Sequence, residues 1–426
     1  MSLLMKASAL LLLLSPLAAH AQYDLVLKGG HVIDPKNGVD RQMDVAIAGN
    51  KIAAVSPDID ASQTKKLIDV HGLYLTPGLV DIHTHLFYTA GMAGAWAGDL
   101  SVQPDAFSFR TGVTTMADAG SSGWRQFETF RHFVIDRAQT RVFAFINISG
   151  LGMLSDAAEQ EPSEFQPEQV ARLAKKHHDV VVGVKTAHYQ KPDWTSVDRA
   201  VEAGKLAGIP VMVDFGWFLP ERPYWQLVTE RLRPGDITTH CFRAPVPWVD
   251  EHGKLYDYLR RARARGVIFD VGHGGGSFVF RNAAAAVEQG FYPDSISTDL
   301  HGTSMNAGMM DMPTTMSKFL AMGEPLVEII RESTVNPAKE IQHPELGHLT
   351  VGSPADVAVW DLRSGDFGFI DAAGGKLSGK QRLECEITLR DGKIAWDRNG
   401  RAGTDYRKLG PTYGVRDVDH IVPPPK

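Results

Sequence analysis

Two cysteines in 426 residues, Cys241 and Cys385, are too few for a disulfide framework. They also fall in segments assigned below to different domains, which argues against a single bridge. Beyond residue 21 no stretch approaches the about 18 uncharged apolar residues that a membrane-spanning helix needs. Basic charge is equally scarce. With 44 Lys and Arg against 50 Asp and Glu the formal net charge is −6, and no basic cluster offers a face for a polyanion, which excludes nucleic acid as the expected partner. There is no Gly-x-Ser-x-Gly elbow and no competing Cys/His motif, so a serine or cysteine nucleophile is disfavoured.

What the chain does have begins with Lys6, the apolar run from Ala7 to Leu14, Pro16 and Ala19-His20-Ala21. That order fits a cleavable signal over residues 1–21, a mature chain starting at Gln22, and export to the periplasm or beyond. The remainder, 43% hydrophobic over the whole chain and holding most of its 41 Gly, suffices for one large domain with a small companion. Residues 22–76 and 347–415 read as short strands broken by turns such as Gly29-Gly30, Pro35-Lys36-Asn37-Gly38 and Asp391-Gly392. We expect one β-sandwich domain made from both termini, with 416–426 as a Pro-rich tail. Between them, over 77–346, eight apolar runs alternate with helical stretches: 79–83, 113–117, 141–148, 180–186, 209–215, 236–242, 267–271 and 295–300. Helices are expected over 167–178, 196–207, 251–265 and 325–332. The pattern predicts a (β/α)₈ TIM barrel, whose chemistry sits at the C-terminal ends of its strands.

Ligand-type residues fall at those ends. Strand 1 closes on His83 and His85, two residues apart and so on one face of an extended chain, where both can reach one ion. Strand 4 carries Lys185, strand 5 Asp214, strand 6 His240, strand 7 His273, and strand 8 Asp299 and His301. Lys185 follows the apolar run Val180 to Val184, where a bare ammonium is costly. It either pairs with Asp214 or Asp299, or its neutral amine adds CO₂ to give a carbamate able to bridge two cations.

Taken together, Pro77-Gly78-Leu79-Val80-Asp81-Ile82-His83-Thr84-His85, the strand-4 lysine, Thr239-His240-Cys241-Phe242, Asp270-Val271-Gly272-His273-Gly274, Ser297-Thr298-Asp299-Leu300-His301, Asn336-Pro337-Ala338 and Gly352-Ser353-Pro354-Ala355-Asp356 resemble the amidohydrolase superfamily. Within it the chain is most similar to the dihydroorotase-like amidohydrolase/deacetylase group, over residues 24–395. The resemblance implies a bimetal centre, usually zinc: His83 and His85 on one ion, carbamylated Lys185 as bridge, His240 on the second ion, and Asp299 joining the first. One position departs, because strand 5 offers Asp214 where the superfamily usually has a histidine. One reading makes Asp214 a direct ligand, which adds negative charge and favours a harder ion such as manganese. The alternatives are a mononuclear centre, or His188 folding in as the substitute.

The implied chemistry is metal-assisted hydrolysis, with Asp299 taking the water proton and passing it to the leaving group. Aromatic loop residues Phe87, Tyr88, Trp96, Trp217, Phe218, Tyr224 and Trp225 suggest a bulky apolar substrate feature, while Arg243 and Arg281 are candidates for holding a carboxylate. With His188, His273 and His301 they make up the expected substrate-binding set. The resemblance implies a deacylase acting on an N-acyl amino acid or an acylated α-hydroxy acid. The runners-up are a cyclic-amide hydrolase and an inactive metal- or ligand-binding barrel. Self-association into a homo-oligomer is left open.

Overall fold

The structure is a computed structural model and describes residues 22–88, 98, 100–154 and 157–414. The expected signal segment, Trp96 and the tail beyond 414 lie outside the described residues. Among the described residues, fifteen strands fall into two sheets.

The catalytic sheet is parallel and curled. Its strands, in spatial as in chain order, are β6 (Leu79–Thr84), β7 (Val113–Gly123), β8 (Arg141–Asn147), β9 (Val181–Thr186), β10 (Val211–Asp214), β11 (Ile237–Thr239) and β12 (Ile268–Phe269). Seven of the eight expected runs therefore form ladder strands. The eighth, 295–300, makes only single bridges, Asp270 to Ser295 on one side and Thr84 to Leu300 on the other. Those bridges close the circle. Asp81 reinforces the seam, accepting from the Thr298 amide at 3.1 Å and its hydroxyl at 2.5 Å. One compact cluster draws residues from six consecutive strands, including Val80, Ile82, Ala117, Phe145, Val182, Met212 and Ile237, and fills the inside of this TIM-barrel-like α/β fold. A larger apolar shell packs outside it against the helices.

The helices follow the expected amphipathic stretches: Pro167–Lys176, Thr195–Ala207, Asp257–Ala264 and Leu326–Ser333. The third is shorter than read, because 251–256 is taken up by a turn in which the Asp250 carboxylate accepts from the His252 and Lys254 amides.

The other sheet joins both ends of the chain. Its order is β15 (Lys393–Asp397), β14 (Lys376–Arg390), β13 (Val357–Ile370), β5 (Tyr74–Pro77), β1 (Leu25–Asp34), β2 (Val39–Ala48) and β3 (Lys51–Ser56), with β4 (Leu67–Asp69) also paired to β1. Its pairing is continuous, so the expected sandwich is observed as one sheet rather than two separately paired layers among the described residues. β13 and β14 are far longer than read, pairing from Val357 with Leu389 out to Ile370 with Lys376. That extension is largely exposed, and its polar and Gly-rich sequence gives no alternating signal. Its tip reaches the barrel: Phe280 N donates to Asp371 Oδ2 at 3.0 Å and Ala372 N to Phe278 O at 2.9 Å. Cys241 and Cys385 are buried free thiols.

Candidate active site

Six side chains converge at the C-terminal ends of the barrel strands, all of them buried: His83 from β6 and His85 just past it, Lys185 from β9, Asp214 from β10, His240 just past β11 and Asp299 from the closing segment. His240 and Asp299 hold left-handed backbones, with φ of 56° and 50°, as does His188 at 56°. Such conformations cost a non-glycine residue about 1–3 kcal/mol and gather where the fold aims a side chain.

Asp299 Oδ1 lies 3.1 Å from His85 Nε2 and 3.5 Å from His83 Nε2. Ligand atoms of these three residues all fall within 4.8 Å of one another, the one such group among the described residues. Across the site His240 Nε2 is 3.3 Å from Asp214 Oδ2 and 4.0 Å from Asp299 Oδ2. Lys185 Nζ sits between the halves, donating to His83 Nε2 at 3.1 Å and approaching Met212 Sδ at 3.7 Å.

The imidazoles are fixed from behind. Thr239 Oγ1 gives its proton to Asp270 Oδ2 at 2.6 Å, so at 2.8 Å from His83 Nδ1 it accepts, which leaves the His83 lone pair on Nε2. Asp270 is held in turn by the Ser295 and Ser297 hydroxyls at 2.9 and 2.8 Å. His240 Nδ1 donates to Gly272 O at 2.5 Å, and His85 Nδ1 lies 2.9 Å from Ser121 Oγ. Two glycines make room: a Cβ on Gly272 would lie 2.3 Å from Thr239 Oγ1, and one on Gly274 2.3 Å from Asp299 Oδ2. Both have positive φ.

Electrostatics keep the donors available. Burial pushes His83 and His85 down, His85 to about 3, so both are neutral. Burial also lowers Lys185, against the through-space pull of Asp214 and Asp299. The simple lysine–carboxylate pair is not formed. Burial would raise Asp214 and Asp299, yet the neighbouring imidazoles, His240 for the first and His85 and His301 for the second, hold both carboxyls below their ordinary range. Asp214 Oδ1 is buried with no hydrogen-bond partner, and Asp299 Oδ1 faces the Nε2 atoms of His85 and His83. Neutral imidazoles presenting Nε2 opposite ionised, buried carboxylates are the donor set of a divalent cation, and the residues present fit one.

These groups floor a cavity of about 440 Å³ walled by His188, Arg243, His301, Thr303, Met153, Ala307 and the loop Gly275-Gly276-Ser277. A larger cleft of about 560 Å³ opens at the opposite ends of the strands, lined by Arg233, Asn336 and Glu340 and remote from the histidines. The polar cavity has the chemistry.

A family model described as the amidohydrolase family matches residues 74–216 and 279–394. The chain belongs to that family. It is accordingly a hydrolase acting on carbon–nitrogen bonds. An Agrobacterium fabrum protein named as a deacetylase is 34% identical over 351 residues, covering 80% of this chain and 83% of that protein. A solved structure titled as an adenine deaminase superposes with a TM-score of 0.79 at 30% identity, covering 88% of this chain and all of that one; another titled as a dihydroorotase gives 0.76 at 30%, covering 87% and 98%.

Among amidohydrolase positions expected to touch substrate, the structure separates two groups. His188, Arg243 and His301 line the cavity. His188 Nδ1 lies 3.0 Å from Glu159 Oε2 and its Nε2 3.4 Å from Asp214 Oδ2. Burial would lower its pKa, but Glu159 and then Asp214 raise it to about 9. Arg243 Nη1 stands 3.8 Å from Asp214 Oδ1. The other group does not reach the cavity. His273 is fully buried behind the glycine loop, stacked on Phe278 at 4.5 Å and taken by Lys318. Trp217 is half exposed on the outer surface, and Arg281 donates outward to Ala244 O at 3.3 Å. The aromatic loops likewise pack elsewhere: Phe87 stacks on Phe130, and Phe218 and Tyr224 close around Phe215. No described Phe, Tyr or Trp side chain lines the cavity, and Trp96 lies outside the described residues.

Sequence reading missed the supports. Glu159, Thr239, Asp270 and Ser121 act through residues distant in the chain; Asp270 and Thr239 stand inside quoted motifs, and that adjacency was the only available signal.

Proposed function

We propose that the protein is a metal-dependent deacylase that hydrolyses the acyl amide or ester of a small molecule, such as an N-acyl amino acid or an acylated α-hydroxy acid. The observation that carries this reading is the meeting of buried carboxylates with imidazole Nε2 atoms fixed by their own supports, Asp299 Oδ1 beside His85 and His83 and Asp214 Oδ2 beside His240. In the proposed assignment His83, His85 and Asp299 hold one ion, His240 and Asp214 a second, and Lys185, carbamylated, lies between; zinc suits the imidazoles and manganese the added carboxylate. Bound divalent cations supply Lewis acidity at the scissile carbonyl and lower the pKa of a water. Asp299, ionised at neutral pH, takes the proton from that water and delivers it to the leaving nitrogen or oxygen. Arg243 and His188 present positive charge on the cavity wall and would hold the carboxylate beside the acyl group. His301 closes the opposite side.

With no described aromatic in the wall, a compact polar substrate is favoured over a bulky one. The likeness to a dihydroorotase structure keeps a second reading, ring opening of a cyclic amide. A matched panel of N-acetyl amino acids, acetylated α-hydroxy acids, dihydroorotate and hydantoins, assayed on protein of measured metal content, separates the two. Turnover of linear acyl compounds at least tenfold faster than of cyclic ones supports deacylation; the reverse order overturns it. We further propose that residues 1–21 direct export and are removed. N-terminal sequencing of protein recovered from the periplasm tests this, and a mature protein retaining Lys6 rejects it.

A further inference from the structure

Behind the glycine loop lies a buried cation to which the proposed chemistry gives no task. Lys318, on the helix Met312–Ala321, has no exposed surface. Its Nζ donates to Gly308 O at 2.6 Å and to Ile370 O at 2.8 Å, and lies 2.6 Å from His273 Nε2. Gly274 O can only accept, so His273 Nδ1, 2.9 Å away, carries the ring proton and Nε2 is an acceptor. With that nitrogen and two carbonyls around it, Nζ donates three hydrogen bonds as an ammonium, although burial lowers its pKa to about 7. The ring is clamped further by Phe278, stacked at 4.5 Å and 17°, with the Lys318 ammonium 5.5 Å from the same face. A methionine would fill much the same volume without the desolvation cost of a charge, so the ammonium calls for a role beyond packing.

Two contacts lead from this clamp to the reacting groups. Gly272 O accepts from His240 Nδ1 at 2.5 Å, and Gly274 is so close to Asp299 that a Cβ there would lie 2.3 Å from Oδ2. In the other direction Gly308 and Ile370 bring in the segment before the helix and the tip of the β13–β14 hairpin. We propose that Lys318 is a positioning residue: through His273 it sets the glycine loop that aims His240 and confines Asp299, and it ties that loop to the terminal sheet. The proposal rests on the hydrolase reading for its kinetic consequence but not for its geometric one.

The test uses the full chain, selectively ¹⁵N-labelled in histidine rings. Nitrogen-resolved NMR of the wild type is expected to show His273 protonated on Nδ1 alone; protonation on Nε2 overturns the proposal without any variant. In Lys318→Met, ring signals of both His273 and His240 are expected to shift, and kcat to fall about 10–100-fold, the range for a residue supporting a metal ligand. KM should change by less than about threefold and cooperative unfolding should persist. His273→Phe, which keeps the stacking and removes the acceptor, is expected to reproduce the kcat loss, and it replaces Lys318→Met should the latter not fold. Unmoved His240 signals, or kcat within about twofold of wild type in a folded variant, reject the role. A wild type that hydrolyses none of the panel would sink the deacylase reading, while the ring signals would still decide for or against Lys318.

Discussion

The two halves of the site are built on different terms. On the side of strand β6 and the closing segment, His83, His85 and Asp299 already stand at ligand spacing, and each imidazole is backed by a hydroxyl. On the side of β9 to β11 the groups are more numerous but looser: Asp214 Oδ2 lies 3.3 Å from His240 and 3.4 Å from His188, yet the three do not gather within 4.8 Å of one another. There Arg243 and His188 offset the extra carboxylate of strand 5. The contrast suggests one half organised to hold an ion tightly and another in which charge balance, more than spacing, admits or refuses it.

Breaking the tight half should cost most. Asp299→Asn keeps shape but removes both the proposed anionic ligand oxygen and the proposed base, and kcat is expected to fall by about 10³-fold or more, measured on protein matched for metal content. Lys185→Ala is next: elemental analysis should show metal per chain reduced by about half if a carbamate bridges two ions, and unchanged stoichiometry would remove the bridge. Sharpening the comparison, Asp214→Ala should release only the more weakly held ion, whereas Thr239→Val, acting behind His83, should lower affinity for the tighter one by about 10–100-fold in a chelator competition.

The smallest effect lies away from the site. Glu324 and Glu332 are buried and close, and burial raises both carboxyls, Glu324 to about 7. A carboxyl raised on folding binds more protons in the folded state, so its stabilisation is present below the ordinary pKa of about 4.5 and is lost as pH climbs towards 7. Thermal unfolding of Glu324→Gln should therefore lose less stability than wild type between pH 5 and pH 7.5, by about 1–2 kcal/mol.

Much of this was legible before any coordinates. Short apolar runs located seven ladder strands, and ligand-type residues at their ends located the histidines, Lys185 and the two aspartates, because barrel topology converts strand ends into one neighbourhood. Phe87, Phe218 and Tyr224 pack on the barrel rather than line the cavity for a physical reason: a large apolar side chain in a loop is equally served by such packing, and composition does not distinguish inward from outward. His273 misled. Its place at a strand end matched the pattern, but its partner, Lys318, lies 45 residues on in a helix whose sequence announces nothing.

Four neighbouring glycines have opposite freedoms. Gly272 and Gly274 are locked, since any side chain would strike Thr239 or Asp299, whereas a Cβ on Gly275 would approach only Ser304 Cα at 3.8 Å and one on Gly276 nothing within 4 Å. Yet Gly275 and Gly276 line the cavity. If the proposed site is the working one, side chains introduced at these two positions would change the cavity wall without disturbing the proposed ion ligands, which makes them the natural sites for engineered or evolved diversification.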